Sequence, residues 1–296
     1  MRHILPTLSL LLVSTAGTLE AQAAAYAITT NARGVQQLVR FDPTTPGSVS
    51  TLGPTGARLT GIDFRPATNA LYGYDGNQLY IVNQITGVAA LAFDVGNTTG
   101  NAGFDFNPVV DRIRVVDAGG TNLRLNQITG GTTTDMPYTF ASGDVNFGRR
   151  PSFTAVAYTN SDTDAATGTT LYGIDSNLGQ LITISNPNGG SISTVGSLGI
   201  GAFSTITGFD IFTRGGVNTA FFAATSVGAT ASQLYTIDLT TGSATLVGGI
   251  GADNMVEGLA ITAVPEPGTW AMLAIGLAAV AVAKRRKRGI AHLERA

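Results

Sequence analysis

A four-residue unit, glycine, apolar, aspartate, apolar, recurs along this chain and constrains its fold more than any other feature. It occurs as Gly61-Ile62-Asp63-Phe64, Gly103-Phe104-Asp105-Phe106 and Gly208-Phe209-Asp210-Ile211, with degenerate copies Ala155-Val156-Ala157-Tyr158 and Gly258-Leu259-Ala260-Ile261. The starts are 42, 52, 53 and 50 residues apart, and each copy alternates with the period of a β-strand. A second unit usually follows: LYGYD (71–75), IRVVD (113–117), LYGID (171–175) and AFFAA (220–224). A third unit comes next, QLYIVNQITG (78–87), NLRLNQITGG (122–131), QLITISNPNGG (180–190) and QLYTIDLTTG (233–242). It runs into an Asn/Asp-x-x-Gly-type turn and then a short fourth strand, such as VAALAF (88–93) or SATLVG (243–248). Four short strands per repeat of this length describe a β-propeller blade.

The first copy lacks its opening strand. AYAITT (25–30), QLVRFDPTTPG (37–47) and SVSTLG (48–53) begin at the second unit, and the missing strand stands at the far end as EGLAIT (257–262). A ring closed by its C-terminal strand is expected, because closure removes exposed sheet edges. The prediction is an all-β propeller of five four-stranded blades over residues 26–263, with six blades or a twisted sandwich as alternatives. Thr132 to Pro151 interrupts the pattern, since Met136-Pro137 and Gly148-Arg149-Arg150-Pro151 break regular strands.

The two ends differ from this body. Met1-Arg2-His3 is followed by an apolar stretch from Ile4 to Val13, then by small residues through Ala25. That layout predicts a secretory signal peptide over 1–25, cleaved after Ala23 or Ala25. At the other end, Pro265-Glu266-Pro267 precedes an apolar run from Trp270 to Ala283 and the basic cluster Lys284, Arg285, Arg286, Lys287 and Arg288. As a helix the 14-residue run covers about 21 Å of a hydrocarbon core near 30 Å. Snorkelling basic side chains make up part of the deficit and hold the C-terminal side in the cytoplasm. A single membrane helix over about 269–283 is expected, with 289–296 as a short cytoplasmic tail.

Pro-Glu-Pro, apolar helix and basic cluster together resemble a PEP-CTERM sorting signal over residues 264–288. The resemblance implies recognition by exosortase, a membrane-embedded cysteine protease or transpeptidase, with removal of the tail near Pro-Glu-Pro. It also implies anchoring in the inner membrane before processing and a later place on the cell surface or outside the cell. Residues 289–296 extend past the point where many such tails stop. The stretch from Gly61 to Gly130, with the closing Gly-Leu-Ala-Ile-Thr, resembles an uncharacterised family of secreted bacterial propeller-like domains, which implies the fold and no substrate.

Trimming the ends removes both His, both Lys and the only Trp, and the whole chain lacks Cys. The body therefore lacks the residues for a Ser-His-Asp triad, a His- or Cys-based zinc site or a Schiff-base lysine. Ten Arg face 15 Asp and Glu257, a net charge of −6, so nucleic acid is not an expected partner. No cofactor motif is visible.

Carboxylate, arginine, tyrosine and hydroxyl chemistry remains. Asp63, Asp105 and Asp210 fall on the innermost strands, with Glu257 near the same level, so these groups are expected to converge on the channel. Two carboxylates at a suitable separation perform glycoside hydrolysis, with Glu257 as acid and Asp63 or Asp210 as base in that reading. Asp63, Asp105 and Asp210 are also a candidate Ca²⁺ set, although no Asp-x-Asp-x-Asp loop accompanies them. In the third reading the repeated Asp builds the repeat, accepting hydrogen bonds from backbone N–H groups of the next blade. Arg112, Arg114 and Arg124 read as a solvated strand face, and Arg149-Arg150 as a loop-solubilising pair or a grip on an anionic polysaccharide. Tyr72, Tyr74, Tyr80, Tyr172 and Tyr235 recur at repeat positions and are expected to pack. The function these features favour is a non-enzymatic binding or scaffold module outside the cell, with exosortase and a surface polysaccharide or protein as partners. A propeller glycosidase and a Ca²⁺-stabilised module are the alternatives.

Overall fold

The computed structural model describes residues 23–263, apart from 97, 98, 163 and 253. Most of the signal segment, Pro265 to Pro267, the apolar stretch 269–283, the basic cluster and 289–296 lie outside the described residues. Within them, 21 strands, numbered β1 to β21 in chain order, form five sheets, and a single 3-10 turn spans Ala165–Thr167. No helix among the described residues is long and apolar enough to cross a membrane.

Blade I holds β1 (Ala23–Thr30), β2 (Gln36–Phe41) and β3 (Val49–Pro54), and β21 (Val256–Ala263) joins it beside β1. The C-terminal strand therefore closes the ring, as the displaced repeat predicts. Ala23 to Ala25, assigned to the leader from sequence, lie in β1, and Ala25 pairs with Phe41. Blade II is β4 (Gly61–Arg65), β5 (Ala70–Tyr74), β6 (Gln78–Val82) and β7 (Ala89–Asp94). Blade III is β8 (Ala102–Asn107), β9 (Arg112–Asp117), β10 (Asn122–Leu125) and β11 (Thr132–Thr134). Blade IV carries β13 (Phe153–Tyr158), β14 (Leu171–Asp175), β15 (Gln180–Asn186) and β16 (Ser191–Ser197). Blade V is β17 (Phe203–Arg214), β18 (Val217–Ser226), β19 (Gln233–Ile237) and β20 (Ala244–Gly249).

The irregular stretch after β11 departs from the four-strand rule. Its short β12 (Thr139–Phe140) adds a fifth, parallel strand outside β16, pairing Phe140 with Ile192. The Met136-Pro137 break thus lets the chain leave blade III and cover the edge of blade IV.

Local chemistry explains the hairpins between third and fourth strands. Asn83 Oδ1 accepts the N–H groups of Ile85 and Thr86, and Gly87 closes the turn at φ +79°. Asn126 and Asp238 repeat the device with Gly130 and Gly242. Each turn has three residues between its Asn or Asp and its Gly, one more than the Asn/Asp-x-x-Gly form expected above. Just beyond, the outer strand bulges at matching places in four blades, opposite Leu38–Val39, Leu79–Tyr80, Leu181–Ile182 and Leu234–Tyr235. A bulge twists an exposed edge and blunts edge-to-edge pairing.

Packing follows the same repeat. Leu38, Leu79, Leu181 and Leu234 share one position of the third strand and are all buried, and blade III carries the buried Asn122 there. Each leucine contributes about 2–3 kcal/mol of apolar burial. Aromatic side chains join neighbouring blades: Tyr72 meets Phe106 edge-on at 5.1 Å, and Tyr74 stacks on Phe104 at 5.9 Å.

The glycine of the inner-strand repeat is there for space. A Cβ at Gly61 would lie 2.6 Å from the Phe104 Cβ, one at Gly103 2.7 Å from the Val156 nitrogen, and one at Gly208 2.5 Å from the Leu259 Cβ. Only a residue without a side chain lets adjacent inner strands approach so closely at the mouth of the channel.

Candidate functional site

The repeat aspartates meet. One carboxylate oxygen from each of Asp63, Asp105 and Asp210 lies within 4.8 Å of the others, and all three residues are buried. Each binds the blade ahead of it. The Phe106 N–H donates to Asp63 Oδ2 at 2.7 Å, the Tyr158 N–H to Asp105 Oδ1 at 2.9 Å, and the Ile261 N–H to Asp210 Oδ2 at 2.5 Å. The donor is always the residue after the repeat position of the next inner strand.

Blades IV and I carry Ala157 and Ala260 where the others carry Asp, which leaves the N–H groups of Ile211 and Phe64 without a carboxylate from behind. Phe64 N–H is taken by the aspartate beside it in sequence, donating to Asp63 Oδ1 at 2.6 Å. The three carboxylates therefore accept from four channel-facing N–H groups, those of Phe64, Phe106, Tyr158 and Ile261.

Burial pushes all three carboxyls upward. Asp210 rises to about 7 despite the N–H it accepts from Ile261. For Asp63 the next cause after burial is the charge of Asp210, and for Asp105 it is the charges of Asp63 and then Asp210. Chemically the cluster can share protons, accept backbone hydrogen bonds and offer three oxygens to a cation. The adjoining channel mouth, lined by Gly61, Gly103, Gly208 and Gly258, encloses about 10 Å³, room for no more than about one water.

Glu257 does not join this cluster. It precedes Ala260, the residue at the aspartate position, by three residues, about 10 Å along the strand. An odd offset also sends the two side chains to opposite faces. Glu257 instead accepts from Thr30 Oγ1 and from Gln36 Nε2 (2.7 Å), and lies 3.4 Å from the exposed guanidinium of Arg58. The expectation that Glu257 stands level with Asp63 and Asp210 is thereby corrected: it ties β21 to the β1–β2 hairpin.

The second correction concerns the arginines of blade III. Arg112, Arg114 and Arg124 do not form a solvated face, because Arg114 is only 3% exposed. Its Nη1 donates to Asn122 Oδ1 and Asp135 Oδ2, both at 2.6 Å, and its Nη2 donates to Asn188 Oδ1 at 2.7 Å. Asp135 also takes Arg124 Nε at 2.7 Å, and these two arginines hold its carboxyl below the usual range against the effect of burial. All three arginines line a cavity of about 390 Å³ between blades III and IV. A sequence signal for Arg114 exists: Tyr26, Tyr72, Tyr172 and Phe221 occupy its repeat position in the other blades.

Of the remaining candidates, Arg150 donates to the Gly119 carbonyl and so pins a loop, while Arg149 reaches Asn146 Oδ1 at 3.5 Å. Tyr72, Tyr74, Tyr80 and Tyr235 are buried and Tyr172 is half-buried, in keeping with packing.

Five sheets in a closed ring, joined by carboxylates in the channel, make this a five-bladed β-propeller protein. The chain belongs to the family described as a domain of unknown function, DUF4394, which matches residues 37–260. Residues 263–287 match the PEP-CTERM protein-sorting motif, so the protein is exported, processed by exosortase and ends outside the cell or on its surface. Among solved structures the chain is similar to the nidogen/laminin complex, at 12% identity, 81% of this chain, 98% of that chain and a TM-score of 0.48. It is also similar to XC5397, a gluconolactonase from Xanthomonas campestris, at 14% identity, 79% of each chain and a TM-score of 0.43. Hydrazine synthase from Kuenenia stuttgartiensis is similar at 12% identity over 67% of this chain, with a TM-score of 0.40, and the chain spans about half (49%) of its length. No curated protein matches the chain.

Proposed function

We propose that this protein is a non-enzymatic binding or scaffold module of the cell surface or extracellular matrix, retained there through a surface polysaccharide or protein. The observation that carries the reading is the use made of the channel carboxylates. Asp63, Asp105 and Asp210 are buried and turned to backbone N–H groups, and Glu257 is engaged elsewhere. Glycoside hydrolysis needs two carboxyls flanking a substrate-sized gap, about 5–5.5 Å apart in retaining enzymes and more in inverting ones. A channel mouth of about 10 Å³ has no room for a sugar ring. The largest space described for a partner is the groove of about 390 Å³ between blades III and IV, against about 10 Å³ at the glycine-lined mouth.

The test is the intact mass and location of the protein in hosts with and without exosortase. The reading expects loss of the tail after about Val264 and retention in the surface or matrix fraction only in the first host. Equal surface retention of an uncut chain in both hosts overturns it and leaves a plain membrane anchor. A second reading rests on the mutual approach of the three aspartates: a Ca²⁺ ion held between them would offset their repulsion and brace the ring.

A further inference from the structure

We infer that the groove between blades III and IV is a binding site for a carboxylate-bearing sugar, a uronate unit, with Arg114 as its fixed floor and Arg112 and Arg124 as its charged walls. The inference deepens the binding reading above and rests on it for the setting in which such a sugar is met.

The first observation is a departure from the repeat. Four blades place an aromatic residue opposite or beside the channel position, and blade III alone places an arginine there, at Arg114. A repeat fold replaces a packing residue by a buried charge at a cost, because a guanidinium taken out of water needs partners an aromatic ring does not. Departures of this kind mark places where local rules yield to function.

The second observation is how the arginine is held. Asn122, Asp135 and Asn188 fix Nη1 and Nη2, while the buried Nε has no hydrogen-bond partner. An immobilised guanidinium gives the cavity floor a fixed positive charge with little side-chain freedom left to lose on binding, and the half-buried Arg112 and Arg124 at the walls are the ones placed to donate to a carboxylate.

The third observation is the charge and size of the cavity. Its lining includes Arg112, Arg114 and Arg124 and no Asp or Glu. Asp135 stands behind Arg114 and Arg124 and offsets one of the two charges. Arg112 donates to the Asp111 carbonyl at 2.7 Å and has no carboxylate partner among the described residues. The site is thus net positive on a body whose overall charge is negative, so an anion is drawn to this groove. A volume of about 390 Å³ lies within the range of small-ligand sites. Asn107 and Asn188, whose Oδ1 atoms already accept from Val109, Val110 and Arg114, bring amide N–H groups that can donate to sugar hydroxyls, which separates a uronate from a bare inorganic anion.

The experiment is calorimetric titration of the exported protein with glucuronate, glucose and inorganic phosphate, on the native protein and on the Arg112→Gln and Arg124→Gln variants. The inference expects glucuronate to bind, glucose not to bind at the same concentrations, and each variant to weaken glucuronate by about tenfold. Raising the salt concentration should weaken it further. Because Arg124 also supports Asp135, the melting temperature of each variant is measured alongside, and Arg112→Gln, at the cavity wall, is the decisive one. Absence of glucuronate binding, equal binding of glucose, tighter binding of phosphate, or an unchanged affinity in a folded Arg112→Gln protein overturns the assignment. Failure of the scaffold reading shows itself separately, as surface retention that ignores exosortase, and leaves the titration result untouched.

Discussion

The backbone N–H of Phe106 donates to Asp63 Oδ2 at 2.7 Å, so blade II holds blade III through a side chain rather than through strand pairing. Asp63 Oδ1 meanwhile accepts from Phe64, the N–H that Ala260 leaves unserved. One carboxylate therefore stands in for two repeat positions, whereas Asp210 holds the Ile261 N–H of blade I.

Truncation should reveal that division of labour. Asp63→Ala strips the acceptor from two buried N–H groups, whereas Asp105→Ala strips it from one. Each orphaned donor costs about 1–3 kcal/mol. Relief from burying a carboxylate offsets part of the loss in both variants. The expected outcome in urea denaturation is a larger loss for Asp63→Ala, and equal losses would contradict the account.

Stability should fall as pH rises toward and past neutrality. The folded carboxyl of Asp210 titrates near 7, and those of Asp63 and Asp105 are also raised, while the unfolded groups titrate near 3.8. Between these values the folded state binds more protons than the unfolded one, so stability decreases with pH over that window. Asp135 and Asp144 are shifted the other way and lose their contributions only as pH falls through the acid range. A melting temperature measured from pH 5 to 8 should decline, and Asp210→Asn should flatten the decline. A rise across that range would refute the assignment.

Close approach of the inner strands makes a sharp contrast among glycines. A Cβ at Gly103 would meet the Val156 nitrogen at 2.7 Å and Ala155 backbone atoms at 2.9 Å, neither of which can swing aside. Gly201 has nothing within 4 Å. Gly103→Ala should cost about 1–3 kcal/mol, while Gly201→Ala should be neutral or slightly stabilising. Thermal melts of the two variants check the pair.

Calcium provides the remaining test. If an ion sits among Asp63, Asp105 and Asp210, added Ca²⁺ raises the melting temperature, a chelator lowers it, and Asp105→Asn blunts both responses. A melting temperature indifferent to Ca²⁺ and chelator discards the cation reading and leaves the backbone-binding role of the aspartates.

Blade count, closure by the last strand and the structural use of the aspartates were legible because each is periodic. A fault in one copy, such as Ala260 for Asp, is visible against the others. Glu257 lies close to the repeat in sequence yet not in space, because a three-residue offset on a strand reverses the face. Arg114 was hidden for a different reason. Alternating arginines on a strand ordinarily face water, and its partners Asp135 and Asn188 come from an irregular stretch and from a hairpin of the next blade. The parallel β12 was illegible because a two-residue strand has no period to detect.

Ring closure also sets an order of events. The inner strand of blade I is β21, the last strand of the body to emerge when the chain crosses a membrane N-terminus first, and the sorting motif match begins at residue 263, where β21 ends. Blades II to V can pair their strands earlier, yet the seam at β1 stays open until the closing strand arrives. Completion of the ring thus cannot precede the arrival of β21, and a chain stopped short of Val256 is left with the inner edge of β1 unpaired.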